Sequence, residues 1–294
     1  MGARDPLSDC SGLPAPGTEV RNYELTDRDF DRVRRLIFDL AGIDLNPSKQ
    51  NMVYSRLARR LRARGMDSFS EYLDGLEGGA GFAAHERQEF VNSLTTNLTS
   101  FFREGHHFPV LAEFLRTAPA NRPVRIWCAA ASTGEEPYSI AMTAVETLGQ
   151  GTSARILASD IDTQVLAAAS RGVYRDQVAH ACGEQRLRRF FQRGIGANEG
   201  MARVRPELGR LVEFGQLNLL EADWPLLQRF GPLVDAVFCR NVMIYFNRAT
   251  QRSVLQRIAE SLRPGGLLFA GHSENFTDCR EWFALRGKTV YERL

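Results

Sequence analysis

The spacing of apolar residues changes near Pro123, and that change restricts the fold more than any other feature of the chain. Upstream, apolar residues recur at helical spacing. Phe30, Val33, Ile37 and Leu40 form one run, opened by Thr26 with Asp29 three residues on and closed by Gly42. A second run follows Pro47, with Met52, Val53, Leu57 and Leu61 apolar, and stops at Gly65. Ser68 to Leu76 and Glu86 to Leu94 supply two more helices, separated by Gly78, Gly79 and Gly81. Downstream, Val124 to Ala129 is a short apolar run bounded by Pro123 and Gly134, the pattern of a buried parallel strand. The alternation continues with a helix over Pro137–Leu148, a strand over Arg155–Ala158 and a helix over Thr163–Ser170. It resumes with Val234–Phe238, a helix over Ala249–Leu262, then Pro264-Gly265-Gly266 and the run Leu267–Ala270. Strands alternating with helices of roughly ten to fifteen residues predict a doubly wound α/β sheet.

The 294 residues suit two domains at roughly 150 residues each. The pattern predicts a flexible tail over residues 1–21, rich in Pro and Gly, and a helical domain over 22–96. A connecting segment over 97–122 and an α/β domain over 123–294 follow. One stretch breaks the rhythm: Gly194 to Phe214 opens with three glycines in seven residues and then alternates, which predicts a small antiparallel insertion at about 193–215. Pro206 inside it removes a ladder donor. Thirty-seven Lys+Arg against thirty-five Asp+Glu give a net charge of +2, too balanced for nucleic-acid binding by bulk charge. Five scattered cysteines without a C-x-x-C pair argue against a disulfide framework or a zinc site and favour a reducing cytosol. No apolar run approaches the roughly 18 residues of a membrane span, and no hydrophobic signal core opens the chain. The expectation is a soluble cytoplasmic protein.

The first strand runs into Ala129-Ala130-Ala131-Ser132-Thr133-Gly134-Glu135-Glu136-Pro137. Ligands of open α/β sheets bind beyond the carboxyl ends of the strands, so this turn is the first candidate site. It lacks the G-x-G-x-x-G spacing of dinucleotide folds, and Glu135 and Glu136 would repel a diphosphate there. They suit a ligand with hydroxyl and cationic groups, or they only complement the helix dipole. The second strand ends in Ser159-Asp160-Ile161-Asp162. Asp160 is placed to accept both ribose hydroxyl protons, whereas Asp162 is placed as a helix N-cap. An acidic turn plus a ribose-binding acid, without a phosphate cradle, points to S-adenosylmethionine. Asn97-Leu98-Thr99-Ser100-Phe101-Phe102-Arg103 is either a capped helix start packing its aromatics or a polar loop in which Arg103 grips a carboxylate. Asn241 and Tyr245, after the strand Val234–Phe238, face the same crevice. Ile244, Tyr245 and Phe246 read equally well as packing. His106 and His107 have no evident partner and read as structural or exposed.

Asn97–Arg103, Ala129–Tyr138, Ser159–Asp162, Cys239–Phe246 and Gly271-His272-Ser273-Glu274-Asn275 together resemble the CheR-type chemotaxis receptor glutamate methyltransferases. The resemblance runs from about Leu25 to Tyr291. It implies a Rossmann-like S-adenosylmethionine-dependent methyltransferase domain with a small antiparallel β-insertion, preceded by an all-helical domain. The implied cofactor contacts are Asn97, Thr99, Arg103, Glu136, Asp160, Asn218, Leu219, Arg240 and Asn241, with Arg103 and Tyr245 at the reacting groups. The implied reaction methylates glutamate side chains on the cytoplasmic helices of chemotaxis receptors, leaving S-adenosylhomocysteine.

The second helix carries Arg56, Arg59, Arg60, Arg62 and Arg64 within nine residues. A charge run is usually a solvated face. The resemblance gives it a second reading, with Arg56, Arg59 and Arg60 docking on the receptor's acidic methylation region. The loop with Gly194, Gly196 and Gly200 resembles the family element that takes a receptor's C-terminal tether peptide by strand addition. The expected enzyme is a monomer with no metal, no nucleic-acid partner and no membrane insertion. Two rivals stand beside it. A nucleic-acid methyltransferase of this fold would show Asn/Asp-Pro-Pro-aromatic after the fourth strand, where Asn241 is followed by Val242 and Met243. A non-catalytic receptor-binding or cofactor-sensing module would fail a methyl-transfer assay.

Overall fold

The computed structural model describes residues 23–78, 84–119 and 121–294, so the predicted tail and the Gly79–Gly81 break lie outside the described residues. Helix α1 (Asp27–Ala41) starts at a complete capping box, with Thr26 and Asp29 satisfying each other's backbone N–H groups, and ends at Gly42 in the left-handed region. Helices α2 (Gln50–Arg64), α3 (Phe69–Gly78) and α4 (Ala84–Leu94) pack with it around Val33, Ile37, Leu57, Leu61, Phe69, Leu73 and Phe90. Helix α5 (His107–Thr117) leads into the α/β part.

There, β1 (Arg125–Cys128), α6 (Glu135–Leu148), β2 (Arg155–Asp160) and α7 (Thr163–Arg171) make the first βαβα unit. The excursion β3 (Val173–Arg175), α8 (Asp176–Ala179), α9 (Glu184–Phe190), β4 (Phe191–Arg193) and β5 (Met201–Val204) follows. Then come α10 (Pro206–Gly209), β6 (Val212–Gln216), α11 (Pro225–Phe230), β7 (Val234–Cys239), α12 (Arg248–Ser261), β8 (Leu262–Ala270), β9 (Phe283–Gly287) and β10 (Val290–Arg293). The main sheet has the order β6-β2-β1-β7-β8-β10-β9. Its first five strands are parallel, and β10 runs against both neighbours. Each face carries its own apolar layer, one including Ile126, Ile140, Phe238 and Phe269, the other Trp127, Leu157, Val237 and Ile258.

The insertion differs from the sequence expectation. Its three-stranded sheet, β3-β5-β4, begins at Val173 and ends at Val204. The alternating stretch after Leu211 is instead β6, a parallel strand on β2 at the margin of the main sheet. A marginal strand covered on one face alternates like a hairpin strand, so the pattern alone does not separate the two. Pro206 lies outside the hairpin, at the first position of α10, where a missing N–H costs nothing.

Helix α2 also corrects an expectation. Arg60 donates to Glu86 (2.7 Å) and Glu89 (3.0 Å) of α4, and the Tyr72 hydroxyl donates to the same buried Glu86. Arg56 donates to the backbone carbonyls of Ser93 and Thr95. These two side chains therefore tie α2 to α4 and are not free to meet a partner, whereas Arg59 is exposed. Charge reversal separates the two roles. Arg60→Glu sets a third carboxylate against Glu86 and Glu89 and should lower stability in thermal or chemical unfolding by ~2–4 kcal/mol. Arg59→Glu should change it by less than ~0.5 kcal/mol.

Candidate active site

A cavity of about 400 Å³ opens beyond the carboxyl ends of the parallel strands. It sits between β1 and β7, where the sheet order reverses, the place open α/β sheets bind ligands. The helical part closes one side with Asp44, Asn46, Lys49 and Met52.

The turn from β1 to α6 forms the floor. Gly134 is left-handed there, and a Cβ would lie 2.7 Å from the Tyr174 hydroxyl and 2.9 Å from Ala169 Cβ, so only glycine closes the turn. Ser132 takes a positive φ of 48° and aims its N–H at Asp160 Oδ2, 2.8 Å away. Asp160 also accepts the Asp162 N–H at 3.0 Å. Burial pushes the Asp160 carboxyl up to about 6, despite those two donors. Asp162 is the N-cap of α7, and its other oxygen accepts from the Thr95 hydroxyl (2.7 Å) and Asn97 Nδ2 (2.8 Å). Neighbouring acids thus divide the work: Asp160 lines the cavity while Asp162 fastens the polar loop to the sheet.

The opposite wall is built on Arg240, whose side chain is 1% exposed. It donates to Glu136 Oε2 at 2.9 Å and to the Arg103 carbonyl at 2.5 Å, and lies 3.4 Å from Glu104 Oε2. Burial raises the Glu136 pKa against the pull of Arg240. At Glu104, burial also works upward, but Arg240 and the hydrogen bond with His272 outweigh it and hold the carboxyl at about 2. Asn241 is left-handed, with φ of 56°. Buried Glu274 pins that turn by accepting the N–H groups of Asn241 (3.0 Å), Met243 (2.8 Å) and Gly271 (2.6 Å). A Cβ on Gly271 would lie 2.4 Å from Asn241 Nδ2, so the close approach requires glycine.

All ten residues expected at the cofactor or the reacting groups line this cavity. Arg103 donates to the Leu98 carbonyl at 2.7 Å and has no carboxylate at ion-pair distance among the described residues. Asn218 engages its amide with the Leu40 carbonyl at 2.9 Å, and the Tyr245 carbonyl accepts the Asp44 N–H at 2.8 Å. Both bonds hold the helical part over the site. The receptor candidates Arg56, Arg59, Arg60, Gly194, Gly196 and Gly200 lie away from the cavity lining. Sequence reasoning gave no role to Glu104 or to Glu274, although the latter stood inside a matched stretch. His107 is fully buried, its pKa lowered to about 4 by burial and by Arg240. Donor atoms of Glu104, His106 and His107 lie within 4.8 Å of one another, but the Arg240 guanidinium beside Glu104 opposes a cation there.

A cavity of this size, with a recessed acid at one end, a second carboxylate in its wall and a guanidinium that has no carboxylate partner among the described residues, fits a nucleoside that also carries a cation and a carboxylate. It offers no cradle for a phosphate chain. Counted within the main sheet alone, the strand order is 3-2-1-4-5-7-6 with the seventh reversed. Fold and site together define an S-adenosylmethionine-dependent methyltransferase.

Two family profiles match the chain. "CheR methyltransferase, all-alpha domain" covers residues 28–95, and "CheR methyltransferase, SAM binding domain" covers residues 97–292. The chemotaxis protein methyltransferase of Salmonella typhimurium is 50% identical over 287 residues, 96% of this chain and 97% of that one. Its counterpart in Escherichia coli (strain K12) is 51% identical over 287 residues, 96% and 98% of the two chains. Chemotaxis protein methyltransferase 2 of Pseudomonas aeruginosa is 51% identical over 283 residues, with 96% and 98% covered. The chain belongs to the CheR methyltransferase family.

The raised Asp160 pKa sets a pH dependence. If Asp160 takes the ribose hydroxyls, as the sequence leads one to expect, they donate to the ionised carboxylate and protonation competes with binding. S-adenosylmethionine affinity, measured by calorimetry from pH 7 to pH 5, should fall as pH drops through about 6 and approach ~tenfold per pH unit below it. Asp160→Asn should remove this dependence and weaken binding at pH 7 by ~1–3 kcal/mol. Wild-type affinity that stays flat over this range would take Asp160 out of the contact.

Proposed function

We propose that this enzyme methylates side-chain carboxylates of glutamates on the cytoplasmic helices of chemotaxis receptors, giving glutamate methyl esters for sensory adaptation. The observation that carries the reading is in the cavity lining, where the Arg103 guanidinium has no carboxylate partner among the described residues. When bound, S-adenosylmethionine supplies a methyl group already activated on a sulfonium. A glutamate side chain, pKa about 4.3, is ionised near pH 7, so no general base has to take a proton from it. Among the described residues, the lining contains neither histidine nor cysteine, which accords with that chemistry. The work left to the chain is to hold both reactants in line and keep water out.

The lining of the cavity supports a division of roles. We assign the ribose hydroxyls to Asp160, and the cofactor's polar groups to Asn97, Thr99, Glu136, Asn218, Arg240 and Asn241, with Leu219 packing beside them. Arg103 orients a carboxylate through its planar fork, and Tyr245 borders the transferred methyl group. The domain limits read from the sequence, a helical domain over 22–96 and a catalytic domain from 123, stand as our division of the chain.

Receptor docking is assigned to two surfaces. Arg59 and Arg62 on α2 are exposed and give an encounter surface for acidic helices. The small sheet leaves β3 and β4 with free outer edges among the described residues, beside exposed Arg175, Arg193 and Arg203. We assign a receptor tether peptide to one of these edges, bound by strand addition. Gly194 serves there by shape: a Cβ would lie 1.9 Å from the Asn198 carbonyl oxygen. Gly196 and Gly200 take positive φ in the same loop. We take the working enzyme as a monomer on the cytoplasmic side, where the acceptor helices are. No helix among the described residues is long and apolar enough to cross a membrane.

Incubation with methyl-labelled S-adenosylmethionine and receptor-bearing membranes tests the assignment. Base-labile label on receptor glutamates is the expected result. Label on nucleic acid, or none on receptor, overturns it. In the same assay Arg103→Lys, which keeps the charge and loses the fork, should reduce kcat/KM at least ~tenfold, about 1.4 kcal/mol. An unchanged rate would rule out bidentate recognition by Arg103.

A further inference from the structure

Among the described residues most large apolar side chains are buried, and the exceptions are few. Two of them, Leu98 and Ile244, line the same cavity as Arg103 and Tyr245 yet remain 78% and 49% exposed. That combination puts them at its open rim. They come from different parts of the fold. Leu98 stands in the loop before α5, between Asn97 and Thr99, and its carbonyl accepts the Arg103 guanidinium. Ile244 stands in the short 3₁₀ turn Met243–Tyr245 after β7.

Both turns are held firmly while these side chains are not. Asn97 donates to Asp162, and Glu274 accepts the Met243 N–H. An apolar residue presented to solvent on a braced turn forms no part of the core. It has a contact to make only when something covers the mouth.

We propose that Leu98 and Ile244 are the residues that seat the acceptor helix, gripping apolar side chains on either side of the glutamate that enters the mouth. The inference rests on the receptor acceptor assigned above. Charge complementarity selects the occupant: Glu136 is already paired with Arg240, whereas Arg103 has no carboxylate at ion-pair distance among the described residues and favours an anionic side chain entering between two apolar rim residues. On a helix, the residues three and four positions from a glutamate share its face, so they come down on the rim as the carboxylate goes in. A free glutamate or a short polar peptide lacks those neighbours and is expected to be a poor acceptor. Recognition by the rim would raise the local residence of the acceptor without touching the methyl donor.

The test uses the full chain, labelled S-adenosylmethionine and receptor-bearing membranes, with KM for receptor, kcat and cofactor affinity measured separately. Leu98→Ser and Ile244→Ser remove exposed side chains, so folding should be unaffected. Each should raise KM for receptor about five- to tenfold with cofactor affinity unchanged, and Leu98→Met should restore KM to near wild type. If the wild type labels receptor and the Ser variants keep its KM, the rim does not seat the acceptor. If instead they weaken S-adenosylmethionine binding, the two side chains cover the cofactor and the inference is wrong while the receptor reading stands. A wild type that labels no receptor glutamate overturns both.

Discussion

The site depends on one buried cation. Arg240 leaves the end of β7 and meets Glu136 from the start of α6, the Arg103 carbonyl, and the Glu104 carboxylate from the loop before α5. Two segments far apart in the chain, residues 103–104 and the start of α6, are thus fixed to the guanidinium at the end of β7. A buried charge is costly unless its partners are well placed, so any shift of these segments is penalised. The planar fork of arginine suits this role, since it reaches several oxygens at once in a fixed geometry. The cavity wall is correspondingly rigid before any ligand arrives, which is what in-line transfer requires. Glu274 continues the brace on the far side by holding three backbone N–H groups of the neighbouring turns.

The helical part is a wall of the same cavity and is tied to the α/β part by polar contacts. Asn92 Nδ2 donates to the Thr163 hydroxyl at 2.9 Å, Gln88 Nε2 to the Ile161 carbonyl at 2.9 Å, and Thr95 to Asp162 at 2.7 Å. These contacts converge on the turn between β2 and α7, next to Asp160. The element that closes the site is therefore anchored on the element that presents Asp160. Arg56 and Arg60 take part in the same economy of contacts by stiffening α2 against α4, which leaves Arg59 and Arg62 to face outward.

Much of this was legible from local pattern. Helices α1 and α2 announced themselves by periodicity and by Gly42 and Gly65, and the buried strands by short apolar runs. The cavity residues were legible because strand ends in an α/β sheet have a predictable address, and the family resemblance named the rest. What escaped was tertiary. Strand β3 has three residues and no period to detect, and β6 alternates because it lies at the margin of the main sheet. The partners of Arg60 lie on α4, and two of the three N–H groups that Glu274 holds lie after β7, so neither of these pairings could be read from neighbouring letters. A carboxylate that holds backbone N–H groups looks, in sequence, like any surface acid.

The central claim is that the Arg240–Glu136 pair assembles the site, and a double-mutant cycle measures it directly. Arg240→Met, Glu136→Gln and the combined variant are compared with wild type by chemical unfolding and by S-adenosylmethionine affinity. The account predicts a coupling of ~2 kcal/mol or more in stability, with each single variant worse than additivity allows because it leaves a buried partner uncompensated. It also predicts that cofactor affinity is lost in Arg240→Met while the protein remains folded. A coupling below ~0.5 kcal/mol, or an Arg240→Met protein that binds the cofactor as the wild type does, would contradict it.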